Sequence, residues 1–303
     1  MVRRPWYGRD TELSIRMFLV SFLLFVVYLL FIGVLFAAGL DFVSIAVLAA
    51  VVLGVQFFFS DKLVLWSMGA KEVSPQEAPR LHALVERMAA LADLPKPRIA
   101  LVSTSMPNAF ATGRSPQSAV IAVTTGLLDR LDEPEIEAVI AHELTHVKNR
   151  DVMVITIASF FATIAYFVMR SAMFRGMFGG FGDRRREGGA SAVVLIYVVS
   201  VVVWLVSFFL IRALSRYREY AADRGSAIIT GAPSNLAAAL LKISGTMQRI
   251  PKRDLREAEG MNAFFIMPAV TGESFLELFS THPSLEKRIE RLKRIQQEME
   301  AMS

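Results

Sequence analysis

The chain has no cysteine in its 303 residues. That absence excludes a disulfide framework and thiolate metal ligands, so any metal held by side chains must rest on His and carboxylate. Histidine is scarce as well, with four in all. Charge is modest: 20% of residues are charged and the formal net charge is +5. Long apolar runs take the place of charge. With 54% hydrophobic residues and a mean hydropathy of +0.45, the chain is too apolar for an ordinary soluble domain, and part of it is expected in lipid. A pI near 9.6 would also suit nucleic acid. Here, however, Arg and Lys flank the apolar runs, the pattern that anionic headgroups attract, so a bilayer and not nucleic acid is the expected partner.

Four apolar runs organise the chain. Residues 1–16 form a basic N-terminus with Arg3, Arg4, Arg9 and Arg16, followed over 17–60 by two runs separated only near Asp41. Each run is long enough to span a bilayer, and the pair reads as a transmembrane hairpin rather than a cleaved leader. A water-soluble segment, 61–151, comes next. A second hairpin, 152–211, carries a Gly- and Arg-rich loop over 175–189, and 212–303 is again soluble and mostly helical. Arg before the first span and little charge after it predict that both soluble segments face the cytoplasm at the cell membrane. Arg175, Arg184, Arg185 and Arg186 in the second loop run against that trend.

Within 61–151, Ser74-Pro75-Gln76-Glu77 is a capping box, and Leu81, Leu84, Val85 and Met88 supply the apolar stripe of the helix it predicts. Residues 98–104 and 118–124 are β-branched and apolar and read as strands. Between them, 106–113 is either a plain connection or an edge strand able to hold an extended peptide. Asp132-Glu133-Pro134-Glu135 is a second capping box, opening a helix that carries Ile136, Val139 and Ile140. On that helix lies His142-Glu143-Leu144-Thr145-His146. Histidines four apart share a helix face and can chelate Zn²⁺, while Glu143 is placed to take a proton from water at the metal.

Two histidines leave a third ligand and an open position to be found. After the fourth run comes Arg218-Glu219-Tyr220-Ala221-Ala222-Asp223. Glu219 and Asp223 share a helix face, with Glu219 suited to bind metal and Asp223 to accept a hydrogen bond from a ligating imidazole. Both halves of this pattern flow into apolar runs, so the chain is expected to continue as helix from His146 into the third span and from the fourth span into Glu219. His82 lacks a partner at chelating spacing, and His282 lies in a Ser/Pro turn. Residues 284–299 form an amphipathic helix with Leu285, Ile289, Leu292 and Ile295 on one stripe.

Together these motifs resemble the HtpX family of membrane zinc metalloproteases, related to the CAAX prenyl proteases and the soluble minigluzincins. The resemblance covers nearly the whole chain and includes Pro107-Asn108-Ala109-Phe110-Ala111-Thr112-Gly113 and Thr281-His282-Pro283. It implies a mainly α membrane protein with four transmembrane helices and a zincin-like α+β catalytic domain, holding one Zn²⁺ per chain on His142, His146 and Glu219. It further implies Glu143 as general base and acid, Asp223 behind a ligand, His282 at the oxyanion, and Asn108, Ala109 and Phe110 on the substrate-binding strand. Misfolded or misassembled membrane proteins would be the substrates. Two other functions fit parts of the pattern: a peptidase that trims specific, for example lipidated, C-termini, and a non-catalytic scaffold whose structural zinc is closed by His82 or His282.

Overall fold

The computed structural model describes residues 10–37, 42–178, 189–247, 266 and 280–301. Residues 1–9 of the basic N-terminus, 179–188 of the Gly/Arg loop and the charged stretch 251–260 lie outside these. Two compact units emerge. One comprises Ser14–Phe57 and Val154–Leu214; the other draws on Met1–Leu13, Phe58–Met153 and Ser215–Ser303.

The first unit is helical and apolar. Its helices are α1 (Thr11–Ala37), most of α2 (Phe42–Ser67), α6 (Asp151–Phe178) and the first part of α7 (Gly189–Thr230). Three of the four are long and apolar enough to cross a membrane, and α2, bent near Ser60, makes a fourth if its two parts form one span. At 27 residues α1 reaches about 40 Å, longer than the hydrocarbon core. Its outward face explains why an aqueous setting is unsuitable: Phe18 and Leu30 are 70% and 65% exposed. Inside, the Tyr28 hydroxyl donates to the Ala158 carbonyl at 2.7 Å, and Phe31, Leu35 and Ile164 are buried.

The second unit packs helices on a four-stranded sheet. Its strands are β1 (Lys71–Glu72), β2 (Arg98–Val102), β3 (Ala109–Thr112) and β4 (Val120–Thr124), in the order β1-β2-β4-β3. β2 and β4 run parallel, and β3 returns antiparallel along the outer side of β4. The 106–113 segment is therefore an edge strand rather than a plain connection. Every residue of β4 is buried, which accounts for its unbroken apolar run, since both faces of this strand are covered.

Helices α3 (Pro79–Leu91), α4 (Thr125–Leu128), α5 (Glu133–Lys148), α8 (Pro233–Met247) and α9 (Leu285–Ala301) complete the unit. One core joins Val85 and Met88 of α3, Ile121 and Val123 of β4, Val139, Ile140 and Leu144 of α5, Leu240 of α8 and Leu292 of α9. The box at Asp132 caps α5 as expected, Asp132 and Glu135 each satisfying the other's backbone amide. The box at Ser74 does not start its helix. Ser74 and Glu77 bond each other across a turn, and α3 begins further on, at Pro79, because the chain reuses a proline-first start after Ala78.

Two further expectations need correction. α5 does not run into the third apolar helix: Asn149-Arg150 interrupts it, with Arg150 at φ 53°, and α6 starts afresh at Asp151. The left-handed residue ends the α5 hydrogen-bond ladder. α7, by contrast, is one 42-residue helix that carries the fourth apolar run and both Glu219 and Asp223. The expected start of the second loop at 175 also shifts, since α6 continues to Phe178.

Candidate metal centre

Two helices place the predicted donors. On α5, one turn separates His142 from His146; their rings meet edge to face with centroids 4.8 Å apart. α7 passes this helix closely enough that the Ser226 hydroxyl donates to the Ala138 carbonyl at 2.6 Å. The close approach requires Gly225, where an added Cβ would lie 2.8 Å from the Thr145 Cβ and nearer still to its γ atoms. We expect Gly225→Ala to destabilise the chain by about 1–3 kcal/mol through overpacking, with Thr145→Ala recovering part of the loss. Thermal unfolding of the single and double variants in detergent measures this, and an unchanged midpoint for Gly225→Ala would refute the contact.

The crossing brings three donors together. His142 Nε2 and His146 Nε2 are 3.1 Å apart. Glu219 Oε2 lies 3.6 Å from the first and Glu219 Oε1 3.5 Å from the second. Bonds of about 2.0–2.1 Å in a tetrahedron put ligand atoms about 3.4 Å apart, so the spacing suits a small dication. Glu219 Oε2 is buried and makes no well-aligned hydrogen bond among the described residues. All three side chains are the neutral or anionic N and O donors that zinc accepts in the absence of Cys. Among the described residues, the donor group within a mutual 4.8 Å is His142, His146 and Glu219.

The remaining histidines are not members of that group. His82 is buried on α3 with Nε2 2.9 Å from the Val73 carbonyl, and it is not among the grouped donors. His282 comes near: its Nδ1 is 3.1 Å from Glu219 Oε2. The turn that carries it is tied to α7 by Arg216, which donates to the Ser280 carbonyl at 2.9 Å.

Behind His142 sits Asp223, with Oδ1 3.1 Å from Nδ1. Asp223 is fully buried and so is Arg288 of α9, whose guanidinium grips both carboxylate oxygens at 2.9 and 2.5 Å and also donates to the Ile266 carbonyl. Burial alone would lower the Arg288 pKa, but Asp223 and Glu219 outweigh it and raise it. His142 follows the same balance: burial opposes its charge, yet Asp223 and Glu219 hold its pKa above the usual imidazole range. Sequence reading missed Arg288, because on the helix pattern of 285–301 it is one of many polar positions. Its complete burial has no signature in the spacing.

Glu143 points the other way, toward β3. Its Oε2 accepts the Ala111 amide at 2.9 Å, and burial raises its pKa against the pull of His142 and His146. The bond fits the strand's register. Thr124 N donates to the Asn108 carbonyl at 3.0 Å, so residues 108, 110 and 112 exchange hydrogen bonds with β4, while the main chain of Ala109 and Ala111 faces outward. Of the three residues expected to touch substrate, Asn108 and Phe110 are thus turned inward. The Asn108 side chain accepts from Ile266 N at 3.0 Å, Phe110 is buried under β2 and β4, and the outward groups belong to Ala109 and Ala111. A small cleft opens beside the strand's far end, lined among others by Ala111, Arg114, His146 and Asp151.

Known proteins can be set beside this geometry. A model of the family described as Peptidase family M48 matches residues 75–296. The protease HtpX homolog of Moorella thermoacetica is 64% identical over 98% of this chain and 99% of its own. Protease HtpX homolog 2 of Methanosarcina acetivorans is 57% identical over 98% and 100%, and the homolog of Pyrococcus furiosus 44% over 80% and 82%. Among solved structures, S. mikatae Ste24p superposes with a TM-score of 0.53 at 20% identity, over 93% of this chain and 66% of that one, which speaks to the fold. With its membrane helices, its sheet-and-helix unit and this degree of likeness, the chain belongs to peptidase family M48, as a membrane metalloprotease of the HtpX type.

Proposed function

We propose that the chain is a zinc-dependent endopeptidase anchored in the cell membrane, with its sheet-bearing unit on the cytoplasmic side. The observation that carries this reading is the spacing of His142 Nε2, His146 Nε2 and the Glu219 carboxylate at 3.1–3.6 Å, with buried Glu143 on the adjoining residue. Zn²⁺ held there would supply a Lewis acid that polarises a peptide carbonyl and brings the pKa of water to about 7. Glu143, raised above the ordinary carboxylate range by burial, then takes the proton from water and returns it to the leaving amine. Its Ala111 bond occupies Oε2 and leaves Oε1 for that transfer.

The outward main chain of Ala109 and the carbonyl of Ala111, whose amide is held by Glu143, suit an extended polypeptide, which would add to β3 as a further strand. Main-chain recognition reads few side chains, and that tolerance fits substrates that are unfolded or misassembled membrane proteins. His282 is the candidate donor to the oxyanion, through Nε2, since its Nδ1 already faces Glu219. The Arg-rich N-terminus supports the cytoplasmic orientation.

Glu219→Ala tests the ligand set. It removes one of three donors and should leave the purified protein without zinc after dialysis and without activity. Elemental analysis decides the point, and a variant that keeps one zinc per chain would refute the role of Glu219.

A further inference from the structure

The imidazole of His146 has its own carboxylate. Asp151 Oδ2 lies 2.6 Å from His146 Nδ1, closer than Asp223 lies to His142. Asp151 Oδ1 is bonded in turn by the guanidinium of Arg218, and that same Nη2 donates to the Asn149 carbonyl at 2.8 Å. Both side chains of the Asp151–Arg218 pair are only 12% exposed, so solvent screens them little.

An acid at the first residue of a helix is commonplace, because the N-terminal amides favour it. Asp151 departs from that ordinary role, as its two oxygens go to His146 and Arg218. The turn that aims it is unusual too. Arg150 holds a left-handed conformation at φ 53°, which a non-glycine residue rarely adopts without compensation. Arg218, gripping the Asn149 carbonyl on one side of Arg150 and Asp151 on the other, supplies it. Arg218 also immediately precedes Glu219 on α7, so one turn of helix delivers a donor to the metal group and an anchor to the back of His146.

From this geometry we infer that Asp151 and Arg218 are positioning residues for His146, the counterpart of Asp223 and Arg288 behind His142. Asp151, an acceptor only, keeps the proton on Nδ1 and directs the Nε2 lone pair at the metal position, while Arg218 fixes the rotamer of Asp151. The inference rests on the proposed ligand set.

Zinc affinity of the full chain in detergent, measured by competition with a fluorescent chelator, is the test. Asp151→Ala should raise the zinc dissociation constant about 10–100-fold. Asp151→Asn, whose amide oxygen can still accept from Nδ1, should fall between Ala and wild type, and it preserves a reading if the Ala variant does not fold. Arg218→Ala should weaken binding by a smaller factor in the same direction. The d–d absorption of Co²⁺-loaded Asp151→Ala should shift from that of wild type as the His146 ring loses its orientation. A dissociation constant at the wild-type value for Asp151→Ala, with only the unfolding temperature of the metal-free protein lowered, overturns the inference in favour of a purely structural ion pair. Glu219→Ala in the same titration separates the two claims: if it retains zinc, the ligand set itself is wrong. If it loses zinc while both Asp151 variants bind as wild type, only the positioning role fails.

Discussion

Glu143→Gln should bind zinc as wild type does and lose about 10²–10⁴-fold in kcat, the contribution of a positioned proton acceptor. The substitution changes little else. Gln matches Glu in volume, its amide oxygen can still accept the Ala111 N–H now held at 2.9 Å, and the donor atoms of His142, His146 and Glu219 are untouched. What the amide cannot do is take a proton from water. Substrate affinity should survive, since the amide oxygen keeps the bond to the Ala111 N–H and leaves the outward main chain of β3 in place. A large fall in kcat with KM and zinc content preserved is the expected signature, read from cleavage of an unfolded protein. Turnover within a factor of a few of wild type would remove Glu143 from the chemistry.

The second large effect is on stability. Arg288 is fully buried and answers the charge of Asp223 through two bonds. Arg288→Met fills most of the space but leaves Asp223 buried without its cation, and breaking a buried pair in this way costs about 3–5 kcal/mol. Removing the second charge should return part of that loss. Asp223→Asn combined with Arg288→Met is therefore expected to unfold at a higher temperature than Arg288→Met alone, a coupling that two independent sites would not show. The double variant should still bind zinc weakly, because an amide in place of the Asp223 carboxylate supports His142 less well. Additive losses in unfolding free energy would contradict the pairing.

How much of this could be read before the structure depends on the distance over which each signal acts. The α5 start at Asp132, the shared face of His142 and His146, and the pairing of Glu219 with Asp223 are all local, and periodicity exposes them. The same locality misleads at Ser74, where the box closes a turn, and at Asn149-Arg150, where the apolar pattern beyond Asp151 masks a break in the helix. The 106–113 segment left two readings open because an edge strand declares itself only once β4 is found between it and β2. The supporting shell was hardest to see. Arg288, Arg218 and Asp151 act through partners up to 69 residues away, and a charged residue within an amphipathic or membrane-flanking pattern looks the same whether it meets water or a buried carboxylate. Polar groups placed where the local pattern asks for solvent are thus the features that only packing reveals.

Everything proposed for the site depends on a metal at His142, His146 and Glu219 driving peptide hydrolysis. The direct measurement is cleavage of an unfolded protein by the purified full chain in detergent, after zinc is stripped with a chelator and then returned stepwise. We predict that stripping abolishes cleavage and that activity returns in full with one zinc per chain. Cleavage that persists in the stripped protein, or that fails to return when one zinc is bound, would contradict the assignment.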